Sequence, residues 1–431
     1  MYQVLLGSVI LKKFCVLLLG FCAFVRADSV LDSIHLKALL QNVRENPLIE
    51  ARNTESKALR SEKKALYGEY LPKVALGYAY QNTLNPDIFY PKRVDGMFLE
   101  AQWLLFDGLK REGKLETAEY KIKAKEAQAK STKDKLELKI IQEYFNALSV
   151  EGKLNALKHQ QKELKESIAK YEKFYGVGLA TLDTLEAIKA QSYQNSYAIE
   201  SLKLAYKAHL EQLSLLSGVQ VTLLNARAKL QEVSLEIQKQ QREDLQANFY
   251  ATKAMESAKS QYTYFPQIAL TNRYTRYNYH NRNIPLLPFN IPLEDPSYQN
   301  IFGISISFTL FDSFATLRAR ESARLNALAA NLKYAYLKNS QDKELIIAKE
   351  ALKSAKEKIT WAKSGVKSAS IAYSYAKEKF NAQLIDYTQY LNALSTLLNA
   401  QSFYDEARFN YEIKKAEFLY KNGNALAEFV D

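Results

Sequence analysis

The 431-residue sequence predicts a mainly α-helical chain with a small β part, built by duplicating one strand-plus-long-helix unit. Three observations carry this. Trp103-Leu104-Leu105-Phe106-Asp107-Gly108 recurs as Phe308-Thr309-Leu310-Phe311-Asp312-Ser313, 205 residues later, and the same offset sets Ala118 on Ala323, Tyr175 on Phe380, Tyr206 on Tyr411 and Gly218 on Gly423. The nine prolines leave residues 92–265 and 297–431 free of proline. An interior proline costs a helix ~3 kcal/mol, so tracts of that length predict very long helices. In each copy a period-two apolar run leads into Leu-Phe-Asp and a helical pattern follows, so the tripeptide marks a strand-to-helix junction made twice.

Residues 1–27 read as an export signal: Lys12 and Lys13, the apolar run Phe14 to Phe24, then Val25-Arg26-Ala27 as a small-residue cleavage site. The run is too short to span a bilayer as a helix. Phe21 before Cys22 is a poor fit to lipoprotein processing, which favours cleavage after Ala27. Cys15 and Cys22 are the only cysteines, so the mature chain has no disulfide, thiolate chemistry or cysteine metal site. Three divisions follow: a first repeat over 28–218, a linking segment over 219–248 that is polar and without a clear copy, and a second repeat over 249–431.

Ser29 to Tyr70 is helical in pattern, with Asn46-Pro47 as an interruption and restart and Leu71-Pro72 as the end. Strands are expected near 73–82, 96–106, 266–277 and 301–311. In the first, Val74, Leu76, Tyr78 and Tyr80 share a face; in the second, Leu99 and Trp103 oppose Glu100 and Gln102. The last sets Phe302, Ile304, Ile306, Phe308 and Leu310 against Gly303, Ser305, Ser307 and Thr309. Strands of about 9 to 11 residues with one oily face and aromatic ends suit a membrane barrel, which assigns Leu99, Trp103, Ile304, Ile306 and Phe308 to lipid. Four strands cannot close a barrel whose practical minimum is about eight, so closure requires several chains.

Between Gly108 and Phe174 the pattern is one helix of roughly 100 Å at ~1.5 Å per residue. Leu157, Gln161, Leu164, Ile168, Tyr171 and Tyr175 form a coiled-coil seam. Turns near 176–181 and 380–386 reverse each long helix, and the returning helices stop at Gly218 and Gly423.

The formal charge is +12, and removal of the export signal lowers it by three. The basic residues are scattered along helices rather than gathered in a block, which argues against nucleic acid as a partner. His35, His159, His209 and His280 show no ligand spacing, and there is no phosphate loop or nucleophile elbow. No enzyme, metal or cofactor chemistry is expected. An exported coiled-coil scaffold explains the helices but leaves the oily strand faces without a purpose.

Leu71-Pro72-Lys73-Val74 with Phe265-Pro266-Gln267-Ile268, the paired Leu-Phe-Asp junctions, and Val177-Gly178-Leu179 followed by Asp183-Thr184-Leu185-Glu186-Ala187 together resemble the TolC-like outer-membrane efflux channel family, over nearly all of residues 29–424. The resemblance implies a homotrimer in the outer membrane of a Gram-negative bacterium, with a twelve-strand barrel on a twelve-helix periplasmic tunnel. By the same resemblance it would serve a tripartite pump or type I secretion system, through a periplasmic adaptor that links it to an inner-membrane transporter. The turns Val177, Gly178, Leu179 and Ala382, Gln383, Leu384 would be the adaptor-docking tips. Asp183, Glu186, Phe380, Ile385, Asp386, Gln389 and Asn392 would surround the gate. There the chain departs from the family. Gln389 and Asn392 stand at the aspartate positions if Ala393 is matched to Ala187, a one-residue slip. Phe380 and Ile385 replace the tyrosine and arginine of the polar latch.

Overall fold

The structure is a computed structural model that describes residues 35–85, 92–280 and 296–430. The expected export signal, the loop prolines 86 and 91, and most of the second proline-rich loop lie outside the described residues. Helix α1 spans Leu36–Asn42 and α2 spans Pro47–Gly68; strands β1 (Lys73–Asn82) and β2 (Arg93–Phe106) follow. The long helix α3 covers Lys110–Gly176 and its return α4 covers Leu182–Ser217. After a mostly irregular link come α5 (Glu243–Ser257), β3 (Gln267–His280), β4 (Tyr298–Ser307), the long helix α6 (Ala315–Asn381) and its return α7 (Tyr387–Asn422).

The duplication survives to the residue. Helices α3 and α6 are each 67 residues long, α4 and α7 each 36, and every boundary recurs at the offset of 205. The Leu-Phe-Asp junction follows the same plan in both copies. Asp107 accepts the amide hydrogens of Lys110 (3.1 Å) and Arg111 (3.0 Å), and Asp312 accepts that of Thr316 (2.9 Å), so each aspartate caps a long helix. The two residues after each aspartate turn the chain through left-handed backbone, at φ 78° and 68° for Gly108 and Leu109 and at 54° and 64° for Ser313 and Phe314. Buried Arg111 locks the first junction by donating to the carbonyls of Glu69 (2.8 Å) and Leu105 (3.1 Å).

One expected boundary moves. Helix α5 begins at Glu243, inside the segment 219–248 assigned to the link. Pro72 and Pro266 stand 194 residues apart, and at that spacing α5 with the 3-10 turn after it occupies the place of α2. The second repeat therefore has its own short helix, and the second strand hairpin is the longer of the two.

The strands form one antiparallel sheet in the order β1-β2-β3-β4, leaving β1 and β4 as free edges. The expectation of a strand over 301–311 is corrected at its end: β4 stops at Ser307, opposite Gln267. The next residue on β3 would be Pro266, which has no N–H to give, so Phe308 and Leu310 lie beyond the ladder. At the loop end the strands run further than expected, β2 starting at Arg93 and β3 reaching His280.

The helices make one layer. Nearest the sheet the order is α2-α3-α5-α6, and further away it is α4-α3-α7-α6. The main core lies where these halves meet: Leu39 and Val43 of the N-terminal segment, Ile140, Tyr144 and Phe145 of α3, Leu213 of α4 and Ala416 and Leu419 of α7. The link crosses this level on one face. It is fixed by the fully buried Lys415, whose Nζ donates to the Leu230 carbonyl at 2.7 Å and pairs with Glu412 at 3.0 Å.

Candidate functional site

The strand register sorts side chains into two faces, because cross-strand partners point the same way. Leu76, Leu99, Tyr274 and Asn300 make one row and Trp103, Leu270 and Ile304 another on the same face. Leu99, Trp103, Ile304 and Ile306 thus lie together as expected, and all are exposed. Phe308, outside the strand, does not join them. The opposite face carries Glu100, Gln102, Thr271, Arg273, Ser305 and Ser307, with Arg273 paired to Glu100 at 3.1 Å and resting on the Phe98 ring. Near the loops, Asp95 accepts from Asn278 (3.2 Å) and is bonded to His280, so the oily face ends in a polar cluster.

The second place of interest is the far end of the hairpins. In the first turn Gly178 takes φ 75° and Leu179 N–H returns to the Phe174 carbonyl at 2.8 Å. In the second, Gln383 takes φ 59° and Leu384 N–H returns to the Lys379 carbonyl at 2.8 Å. The two turns are one backbone shape, and the second achieves it without glycine. Val177, Leu179 and Leu384 are each at least 70% exposed there, and Ala382 and Gln383 are exposed beside them. The one-residue slip expected in the second turn is absent: Thr181 and Asp386 are corresponding residues before α4 and α7, and Asp386 accepts the Gln389 amide at 2.7 Å.

The residues expected at the gate separate into two groups. Phe380 and Ile385 are half-buried in an apolar cluster with Leu164, Tyr171, Ile188, Tyr387 and Tyr390, where the Phe380 and Tyr390 rings stack at 4.8 Å. Tyr390 also reaches the Tyr373 hydroxyl (3.2 Å) and Glu163 (3.3 Å), and burial together with these neighbours raises its hydroxyl well above the usual tyrosine range. Asp183, Glu186, Gln389 and Asn392 are exposed outside this cluster. Glu186 pairs with Lys189 at 3.1 Å, and a hydrogen bond from Thr181 holds the Asp183 carboxyl below the ordinary value. Among the described residues no ion pair joins the two turns. Tyr373, Tyr387 and Tyr390, which pack with Phe380 and Ile385, were not among the residues expected there. Their signal was the aromatic pair three apart at the start of α7, facing the seam that Tyr171 already marked.

The seam itself holds a satisfied polar step. Gln161 donates to Ser192 (2.8 Å) and accepts from Asn195 (2.7 Å). Along the layer's margins apolar side chains are bare: Tyr193, Tyr197 and Leu204 on α4, Ile347, Trp361 and Tyr375 on α6. With two free strand edges above them, these margins ask for further chains. Among the described residues no helix is long and apolar enough to cross a membrane, and no group of His, Cys, Asp and Glu is placed to hold a metal.

The family model for outer membrane efflux proteins matches residues 39–219 and 235–418. No curated protein matches the chain in sequence. Among solved structures it is similar to a membrane protein from Pseudomonas aeruginosa, at 16% identity over 94% of this chain and 96% of that one, with a TM-score of 0.77. It is also similar to the Campylobacter jejuni CmeC outer membrane channel (16%, 93% and 90%, TM-score 0.76). The open state of the Neisseria gonorrhoeae MtrE outer membrane channel gives 15%, 93% and 94%, and a TM-score of 0.73. At such identities the likeness is one of fold, and it extends over nearly the whole of each chain. The duplicated hairpins, the four-strand sheet and the two matched segments have one explanation: the chain belongs to the outer membrane efflux protein family.

Proposed function

We propose that three copies close into a passive exit duct across the periplasm and outer membrane, serving a pump or a type I secretion system. One observation carries the reading: each chain leaves two unpaired strand edges on a sheet with a single oily face, above a helical layer whose margins are apolar. Pairing β4 of one copy with β1 of the next removes every edge and gives twelve strands, enough to enclose water. Below the barrel the 67-residue helices supply about 100 Å of wall at ~1.5 Å per residue.

The need for an open bore supports one side of the wall as the lumen face. Three copies of the link and the N- and C-terminal segments would fill the duct if they faced inward, so they lie outside and the opposite face of α3 lines the lumen. Leu99, Trp103, Ile304 and Ile306 then meet lipid, while Ser305 and Arg273 meet water. The exposed Val177, Leu179 and Leu384 at the hairpin ends suit capture of a periplasmic adaptor, through which an inner-membrane transporter delivers cargo. No step needs a cofactor, because transport through a duct is driven elsewhere. Mass measurement in mild detergent together with planar-bilayer conductance tests the reading: a trimer that conducts is expected, and a stable folded monomer would overturn it.

A further inference from the structure

We infer that the upper tunnel contains a binding groove for amphipathic organic anions, on the wall that lines the duct. The inference rests on the duct reading and names a class of cargo for it. The groove has a volume of about 460 Å³ and runs over α3 between α2 and α5. That is the size of a pocket for a small organic molecule. It faces inward for a geometric reason: Lys135, in the groove, is nine residues and hence two and a half helical turns from Tyr144, which faces the outer belt.

Its chemistry has two parts. Leu59, Ala124, Ala251 and Met255 supply an apolar floor, and Met255 is 45% exposed, as bare sulfur-containing surface ready to pack on an alkyl or ring body. Lys121 and Lys135 border the groove, are exposed, and make no ion pair among the described residues. Of the carboxylates nearby, two are already engaged, while Asp134, beside Ser131 and Asp244, makes no ion pair among the described residues. Asp244 is held by Arg242, and Glu55 by Lys125 at 2.8 Å. Two free ammonium groups over an apolar floor therefore select a negative head and an oily body, and a cation of equal shape gains only the floor.

The duplication extends the effect. Gln128 of the groove corresponds in the second repeat to Lys333, which is exposed and also without an ion pair among the described residues. Three lysines per chain, repeated by a threefold axis, make the upper lumen a cationic zone, in a chain whose formal charge of +12 falls by three, to +9, when the expected export signal is removed. Such a zone raises the local concentration of anions and hands them along by many weak contacts, as conduction requires.

The test uses the full-length channel in planar bilayers, with sodium decanesulfonate as the anionic probe and decyltrimethylammonium as its cationic counterpart. Decanesulfonate is expected to reduce conductance at concentrations where the cation does not, with block strengthening from hexane- to decanesulfonate. Combining Lys121→Glu with Lys135→Glu should raise the half-blocking concentration roughly tenfold, a change of about 1.4 kcal/mol, while conductance in plain potassium chloride persists. Equal block by the two ions, no dependence on chain length, or a half-blocking concentration unmoved by the double substitution overturns the groove and leaves the duct standing. A trimer that never conducts overturns the duct, and the groove with it.

Discussion

The stacked rings at the hairpin ends should hold the inner mouth closed, and Tyr390→Ala is the perturbation that isolates them. Tyr390 is 6% exposed, lies 4.8 Å from Phe380 and within about 6 Å of Tyr373 and Tyr387, and joins helices from both hairpins of the chain. Removing a large buried aromatic side chain costs about 3 to 5 kcal/mol. If the cluster exists only in the closed mouth, even the lower figure shifts the open-to-closed ratio by roughly a hundredfold. Tyr390→Phe keeps the ring and deletes only the hydroxyl shared with Tyr373 and Glu163, worth about 0.5 to 1.5 kcal/mol. Single-channel recording at 0.1 M and 1 M salt, between which the screening length falls from about 10 Å to about 3 Å, separates the cases. The alanine variant is expected to be open far more often, the phenylalanine variant near wild type, and both insensitive to salt. A phenylalanine variant as open as the alanine one would show that the latch is polar and refute the argument from packing.

Three other substitutions probe the remaining surfaces. Leu99→Arg should lower outer-membrane levels through a cost of about 2 to 4 kcal/mol on the lipid face, whereas Ser305→Arg on the other face should be tolerated; equal losses in membrane fractions would reverse the face assignment. Gly178→Val forces a branched side chain into φ 75° at about 1 to 2 kcal/mol, though no atom lies within 4 Å of the added carbon. Efflux in cells should fall with the trimer intact, and Gly178→Asn should restore it. Asp134 has its carboxyl pushed up to about 6, by burial first and by Glu137 and Glu243 next. The folded chain then binds a proton that the unfolded one releases near pH 4, so this contribution is full below about pH 4 and fades as pH rises through 6. Asp134→Asn should raise the thermal midpoint at pH 7.5 and change it little at pH 4.5.

The duplication was legible because it is written in backbone-forming residues. The aspartates of Leu-Phe-Asp cap helices, the prolines at 72 and 266 open strands, and Gly218 and Gly423 end the returning helices in left-handed backbone at φ 73° and 88°. Alternation likewise placed Leu99 and Ile304 on one face, since a period of two leaves no choice. What escaped was settled by partners distant in sequence. Phe308 continues the apolar alternation perfectly and leaves the strand only because Pro266 has no N–H to offer. The start of α5 carries no strong signal, because its identity as the partner of α2 lies in position and hardly in sequence. The aromatic cluster needed three helices to converge. Tyr171, Phe380 and Tyr390 look like isolated seam residues until α3, α6 and α7 are brought together.

The second turn shows why sequence matching erred by a residue there. Aligning Ala393 with Ala187 honours side-chain likeness, but the backbone honours length: both turns place one left-handed residue, Gly178 or Gln383, at the same step, and both returning helices start six residues after the long ones end. In the proposed trimer, geometry is therefore kept at near-sixfold regularity while chemistry is threefold. One turn of each chain presents Val177 and Leu179 with Asp183 and Glu186 close behind; the other presents Ala382 and Leu384 with Asp386, Gln389 and Asn392. Around a threefold mouth, hairpins with two exposed carboxylates, Asp183 and Glu186, would alternate with hairpins that carry one, Asp386. A partner docking on six equivalent backbones would meet two kinds of surface in turn, and only a partner whose own contacts alternate can match the charge of both.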